Sequence, residues 1–326
     1  MLIQTQSRPT MNRSFNYFKS TALVAFMASV LIGLVPTQAI ADNKITVTDS
    51  RGTHQIAAHP SRIVALNWDI TEQLIELGVT PIAMPDKAGY EQWVVKPQLP
   101  TSIEDIGTRV EPNYEKIARL KPDMIIVASP QRDLIPQLER IAPVMFYQTY
   151  SASHSNAQAA IDNYRLLAQL VNKTDYAEQQ LQRMENRFSE LKAALNHAYN
   201  NQVPKVTTLR FASKTAAFVY GDNSISQFAL SKLGIEPAMP LASTQWGVTQ
   251  KRISDLHTIG SGTVLYFLPL EQEAQLKQSV MWQAMPFVRQ HRVNSVAATW
   301  SYGGALSILY MAEALTESLI EIAPTS

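Results

Sequence analysis

The chain has no cysteine. That excludes disulfides, thiolate metal sites, cysteine catalysis and a lipid-modified cysteine tether together. No GxSxG, HExxH or GxxxxGK(S/T) string occurs, so the recognised machinery of ester hydrolysis, zinc proteolysis and phosphate cradling is missing. Charge is sparse: charged residues make up 17% and the net charge is +1. Without a basic stripe, the composition argues against a nucleic-acid partner. The histidines at 54, 59, 154, 197, 257 and 291 are scattered, with no i, i+4 or HxH spacing. A bare metal site needs convergent imidazoles and carboxylates, so these read as ordinary surface groups.

The apolar run Ala22–Val35 is too short to span a bilayer comfortably. Arg8, Arg13 and Lys19 precede it, and Thr37-Gln38-Ala39-Ile40-Ala41-Asp42 follows. A basic stretch, an apolar core and an A-x-A site define a secretory signal peptide over 1–41, cleaved after Ala41. Either Met1 or Met11 serves as its start. The expected product is a soluble protein of an extracytoplasmic compartment, most simply a bacterial periplasm, with no lipid anchor.

What is present is a chain with 46% hydrophobic residues, enough to bury a sizeable core and long enough for two domains. Lys44–Val47 and Thr53–Ile56 flank the turn-forming Asp49-Ser50-Arg51-Gly52, which predicts a hairpin. From Arg62 to about Tyr150 strands and helices alternate, which predicts a parallel sheet. Its strands are Ile63–Leu66, Pro81–Met84, Met124–Ala128 and Val144–Tyr147; its helices are Thr71–Leu77, Tyr114–Arg119 and Leu134–Arg140. Asn156 to Val171 keeps a helical period without glycine or proline, and a second long helix runs from about Asp175 to Tyr199. After Pro204 the alternation resumes and ends in a helix over Gly304–Glu321.

The most telling stretch is Arg62 to Ser129. Its βαβ units place Trp68, Trp93 and Arg109 on loops at strand ends, where an open α/β sheet keeps its ligand site. No nucleophile–base pair accompanies them. Asp69, read as the cap of the helix over Ile70–Leu77, is the cleft-edge carboxylate a general acid would need, and it has no visible partner. The combination points to holding a ligand and not to transforming it, so the chain is read as no enzyme.

The strings RIVALNWDITEQLIELGVTP, YEQWV, DIGTRVEPN, ARLKPDMI, ERIAP, YGDNSI, LGI, QWG, WQAMPFVR and TWSYGGALS, in order over nearly the whole mature chain, resemble a periplasmic ferric-siderophore-binding protein of an ABC importer. LNW, GTRVEPN, WQAMPFVR and WSYG are similar to the ferric-hydroxamate type. The resemblance implies the class III, helical-backbone α/β fold: two Rossmann-like lobes with central sheets, joined by one long rigid α-helix. The lobes would span 42–152 and 173–326, with the linking helix over 153–172, a shallow cleft between them and only small closing motions. It also implies delivery to an inner-membrane permease with its cytoplasmic ATPase. Iron would arrive already chelated, with no cofactor and no protein atom as a metal ligand, and the protein would act as a monomer.

Residue by residue, the resemblance makes Arg109 the polar anchor, because a guanidinium fork that stays protonated suits metal-bound oxygens. Its plain alternative is a surface ion pair with Glu111. Trp68, Trp93, Trp246 and Trp300 would bury the carbon skeleton of a bulky chelate at little rotamer cost. Tyr302, two residues past Trp300, would point the same way in an extended segment, and Phe218 would be a wall residue; for both, plain packing is an equal reading. Trp282 reads as lobe packing. Three positions depart from the hydroxamate pattern: Gln131 stands where a tyrosine is common, Arg210 where a small polar residue is expected, and Met239 where an aromatic is usual. If Arg210 faces the cleft, its second cation favours an anionic ligand such as a mixed citrate–hydroxamate. Glu139 and Asp255 are candidates for permease docking. Catecholate siderophores, haem and cobalamin remain alternative ligands, with Tyr302 or Tyr90 as a possible axial group for haem.

Overall fold

The computed structural model describes residues 44–324; the expected signal peptide lies outside them. β1 (Ile45–Asp49) and β2 (Gly52–Ile56) pair antiparallel across Ser50-Arg51, the hairpin expected there. Gly52, at φ 128°, supplies a backbone conformation that residues with a Cβ rarely adopt.

The N-terminal lobe follows. Its elements are β3 (Ile63–Ala65), α1 (Trp68–Glu76), β4 (Ala83–Met84), α2 (Lys87–Trp93), β5 (Glu104–Asp105), α3 (Tyr114–Leu120) and β6 (Met124–Ala128). A 3-10 turn over Ser129–Leu134, α4 (Ile135–Leu138) and β7 (Val144–Tyr147) complete it. The sheet is parallel, in the order β5-β4-β3-β6-β7. Connections run outward in opposite directions from β3 and β6, so the crevice where such sheets bind ligands lies at the carboxyl ends of those two strands.

Two long helices follow, α5 (Asn156–Leu170) and α6 (Thr174–Ala198). Ser155 caps α5, its hydroxyl accepting from the Gln158 amide. On α6 the buried residues Ala177, Leu181, Met184, Phe188, Leu191 and Leu195 form one stripe, and the charges take the solvated side.

The C-terminal lobe holds β8 (Val206–Phe211), β9 (Ala216–Tyr220), α7 (Ile225–Lys232), β10 (Val248–Arg252) and a 3-10 turn over Ile253–Ile259. Next come β11 (Thr263–Phe267), α8 (Glu273–Gln278), α9 (Val280–Gln283), α10 (Pro286–Arg289), β12 (Val293–Val296) and α11 (Ala305–Glu321). Its sheet runs β10-β9-β8-β11-β12. The strands β8, β11 and β12 are parallel, while β9 and β10 are antiparallel to their neighbours.

One apolar cluster runs from Ile63 and Ile126 of the first sheet through Tyr164 and Leu167 of α5 to Leu265, Val296 and Met311 of the second lobe. Pulling the lobes apart would expose that shared core to water, which favours a rigid pair over a wide hinge. The structure corrects three expectations. Trp68 is the first residue of α1 and Trp93 the last of α2, so neither lies on a loop. The cap of α1 is Asn67, and Asp69 sits inside the first turn. The elements α2 and β5 are too short, and too poor in apolar period, to show in the sequence.

Candidate functional site

The site begins at the ends of β3 and β6. Asn67 ends the strand segment and caps α1, its side-chain oxygen accepting from the Trp68 amide at 2.7 Å. The indole N–H of Trp68 donates to the carbonyls of Pro85 (3.1 Å) and Asp86 (3.2 Å), so the ring is held at both ends and is only 2% exposed. Gly89 leaves it room: a Cβ there would stand 2.6 Å from the ring.

Arg109 lies over that ring. Its loop is a tight turn in which Gly107, at φ 97°, bridges Pro112, and Thr108 Oγ1 accepts from the Glu111 amide. The guanidinium carbon is 3.6 Å from the Trp68 centroid and 5.7 Å from that of Trp300, a cation–π arrangement. Burial draws the Arg109 pKa down, and the carboxyls of Asp86 and Asp69 counter it; the group stays charged. Among the described residues no ion pair joins Arg109 to Glu111.

From the other lobe comes the segment between β12 and α11. Trp300 meets Trp68 edge-on at 5.0 Å, and Tyr302 meets Trp300 at 5.5 Å. Tyr150, at the end of β7, contacts Tyr302 at 5.7 Å and Trp246 at 5.6 Å. Trp246 is 39% exposed, and the turn Thr244–Gly247 carries it. Asn223 ties that turn to the first lobe, donating to the carbonyls of Thr244 and Ser151, each at 2.8 Å. The result is a continuous row, Trp68–Trp300–Tyr302–Tyr150–Trp246, drawn from both lobes and headed by a stacked guanidinium. Its accessible members, Trp300, Tyr302 and Trp246, offer flat apolar contact beside one fixed fork of donors.

Residues 63–298 match the periplasmic binding protein family. The chain belongs to that family. It is 31% identical to the iron(3+)-hydroxamate-binding protein FhuD of Escherichia coli (strain K12), over 82% of this chain and 89% of the relative. It is 25% identical to the Fe(3+) dicitrate-binding periplasmic protein FecB of the same strain, over 86% of this chain and 91% of the relative. Among solved structures, the Fe3+–Desferal-bound siderophore-binding protein FhuD from Vibrio cholerae superposes with a TM-score of 0.80 at 51% identity, covering 82% of this chain and 100% of that one.

The family member described here differs from its sequence reading at several positions. The Arg210 guanidinium is 5.1 Å from the Trp93 ring of the opposite lobe and 5.9 Å from Phe267. Phe218 stands directly opposite Arg210 in the β8–β9 register, on the same sheet face, and is exposed. Gln131 is 1% exposed, and its amide is engaged inside the protein. Asn67 donates to its oxygen at 2.9 Å, and its nitrogen donates to the Arg109 carbonyl at 3.1 Å. It therefore steadies the Arg109 turn where a ligand contact was expected. Met239 packs with the cluster of Leu209 and Val219, on the sheet face opposite Arg210, and does not reach the aromatic row. Trp282 packs among Phe211, Tyr266 and Phe287, as expected. Tyr90 is buried and donates to the Pro97 carbonyl.

Asp69 is buried, and burial pushes its pKa up to about 7 against the hydrogen bonds from Ile70 and Thr149. Glu139 pairs with Arg51 at 2.7 Å and Asp255 with Arg252 at 3.1 Å, both on exposed surface. Among the described residues, no three His, Cys, Asp or Glu side chains gather as a metal ion would need. The sequence reading missed Tyr150. Tyr150 was detectable, since it lies three residues past the end of the parallel strand β7, where such sheets keep their sites.

Proposed function

We propose that this chain captures a ferric siderophore, of hydroxamate or mixed citrate–hydroxamate type, between its two lobes and delivers it to an ABC-type permease in the inner membrane, energised by a cytoplasmic ATPase. The observation that carries the reading is the Arg109 guanidinium stacked on Trp68 at the head of aromatic rings from both lobes. A pre-formed ferric hydroxamate presents metal-bound oxygens with partial negative charge on one side and hydrocarbon elsewhere. A charged fork beside flat rings answers both features. The names of the relatives support the same chemistry: one binds an iron(3+) hydroxamate, one an Fe(3+) dicitrate, and one was solved with Fe3+–Desferal.

In this reading Trp93, Arg109, Arg210, Phe218, Trp246, Trp300 and Tyr302 face the ligand. Trp68, expected as a contact but almost wholly buried, instead supports Arg109 from beneath, and Gln131 acts through Arg109. The lobes are 42–152 and 173–326, with the linking helix over 153–172. The protein works as a periplasmic monomer freed from its signal peptide, with iron as cargo and no catalytic step. Glu139 and Asp255, one on each lobe, exchange their partners Arg51 and Arg252 for basic groups of the permease.

Tryptophan fluorescence titration against ferric complexes tests the ligand. Neutral hydroxamate, citrate–hydroxamate and catecholate complexes form the panel, with haem and cobalamin as outsiders. Hydroxamate-containing complexes should quench strongly at submicromolar concentration, roughly −8 kcal/mol or tighter. Quenching by haem or cobalamin alone would overturn the assignment.

A further inference from the structure

The segment Thr299–Gly304 carries Trp300 and Tyr302, and the residues between them are tied into the protein. Arg210 Nη2 donates to the Thr299 carbonyl at 3.5 Å, and the Tyr220 hydroxyl donates to Ser301 Oγ at 2.6 Å. The Tyr150 hydroxyl donates to the Gly303 carbonyl at 3.1 Å. The last tie comes from the opposite lobe. Glu72 of α1 accepts from the Gly304 amide, and Ser307 Oγ donates to Glu72 Oε1 at 2.9 Å and Oε2 at 3.1 Å. Gly304 precedes α11, so a carboxyl from the first lobe accepts the amide that opens a helix of the second, one of the groups a helix start leaves unpaired.

Two further features make this contact deliberate. A Cβ at Gly303 would collide with Ser307 and Glu72, and one at Gly304 with Gln73, so the two glycines permit the close approach. Trp300, in turn, is held by ring contacts but by no hydrogen bond of its own. Its indole N–H has no acceptor among the described residues, and it forms one wall of a recess of about 870 Å³. With open space on one side and no hydrogen bond, the ring depends on its backbone as well as on those ring contacts for its position.

We propose that Glu72 is a positioning residue of the ligand site: from one lobe it fixes the segment of the other lobe that presents Trp300 and Tyr302. Glu72 touches no ligand in this assignment and acts through Gly304 and Ser307. The inference rests on the siderophore reading for its affinity readout, and a second readout needs no ligand.

Hydrogen exchange of the ligand-free protein measures the tie directly. In Glu72→Ala, peptides covering residues 299–306 should exchange about tenfold faster, as expected when a buried amide loses its acceptor, with β6 and β11 unchanged. Affinity for the ferric complex of Desferal, read by tryptophan quenching, should fall about tenfold or more. Glu72→Gln keeps an acceptor for the Gly304 amide and should restore both readouts to within about threefold. Should Glu72→Ala fail to fold, Ser307→Ala removes one donor from the same contact and should shift both readouts in the same direction. Unchanged exchange over 299–306 in Glu72→Ala, or in Ser307→Ala where that variant replaces it, overturns the assignment, as does a Gln variant no better than Ala. If wild-type protein leaves the Desferal complex unbound, the ligand reading falls, and the exchange measurement alone decides the role of Glu72.

Discussion

The guanidinium carbon of Arg109 rests 3.6 Å from the centre of the Trp68 ring, and Gln131 holds the Arg109 carbonyl from beneath at 3.1 Å. Charge and ring are thus fixed relative to each other before any ligand arrives, which reduces the ordering cost of binding.

Replacing that arginine separates charge from shape. Arg109→Ala and Arg109→Lys should both weaken binding of a ferric hydroxamate, by about 10–100-fold for the alanine, the range for a hydrogen bond to a charged group. Lysine keeps the charge but has no planar fork to stack, so it should recover little. Calorimetric titration of both variants checks this, and full recovery by lysine would reduce the site to simple charge attraction.

Arg210 should set the preference for ligand charge. It is the second guanidinium beside the row, resting on Trp93 from the other lobe. Arg210→Ala should cost about tenfold for a ferric complex carrying a free carboxylate and about twofold for a neutral one, since direct charge attraction applies only to the first. Parallel titrations with the two complexes decide it. Equal losses would reject a role in selecting anionic ligands.

Buried carboxyls on α1 should make stability depend on pH in an unusual sense. Burial raises Asp69 to about 7 and Glu76 to about 8, above their unfolded values near 4. A raised pKa means that the folded state binds the proton more tightly. The stabilisation is therefore fully present below the unfolded pKa and is lost as pH rises through about 7 to 8. The urea midpoint should fall between pH 6 and 8.5, and Glu76→Gln should flatten the upper part of that decline. A midpoint that rises over this range would contradict the burial of these groups.

Several elements were legible from residues alone. The hairpin at Asp49–Gly52 announced itself by turn chemistry between β-branched runs, and β6 and β7 fall at the predicted bounds because buried strands are short apolar runs. Arg109, Trp68, Trp300 and Tyr302 were legible as a set because each stands at a strand end or in a segment resembling the family. Gln131 and Met239 were misread for one reason: a position in a chain string does not say which way a side chain turns. Gln131 turns inward to Asn67 and the Arg109 carbonyl, and Met239 turns to the far face of its sheet. Nor could composition reveal α2, a seven-residue helix too short to show a period.

The sequence by itself determined the class of element, the two-lobed plan and the chemistry on offer: indoles, a few tyrosines and two well-placed arginines. Only the tertiary structure decided which of them meet. Trp68 and Trp300 are separated by most of the chain, and their contact at 5.0 Å exists because α1 and the segment before α11 approach across the lobes. That approach depends on the absence of two Cβ atoms at Gly303 and Gly304 and on one carboxyl, Glu72, placed to receive the amide they expose. Local patterning carries the first kind of information because it follows backbone geometry; long-range packing carries the second because it depends on what lies across the cleft.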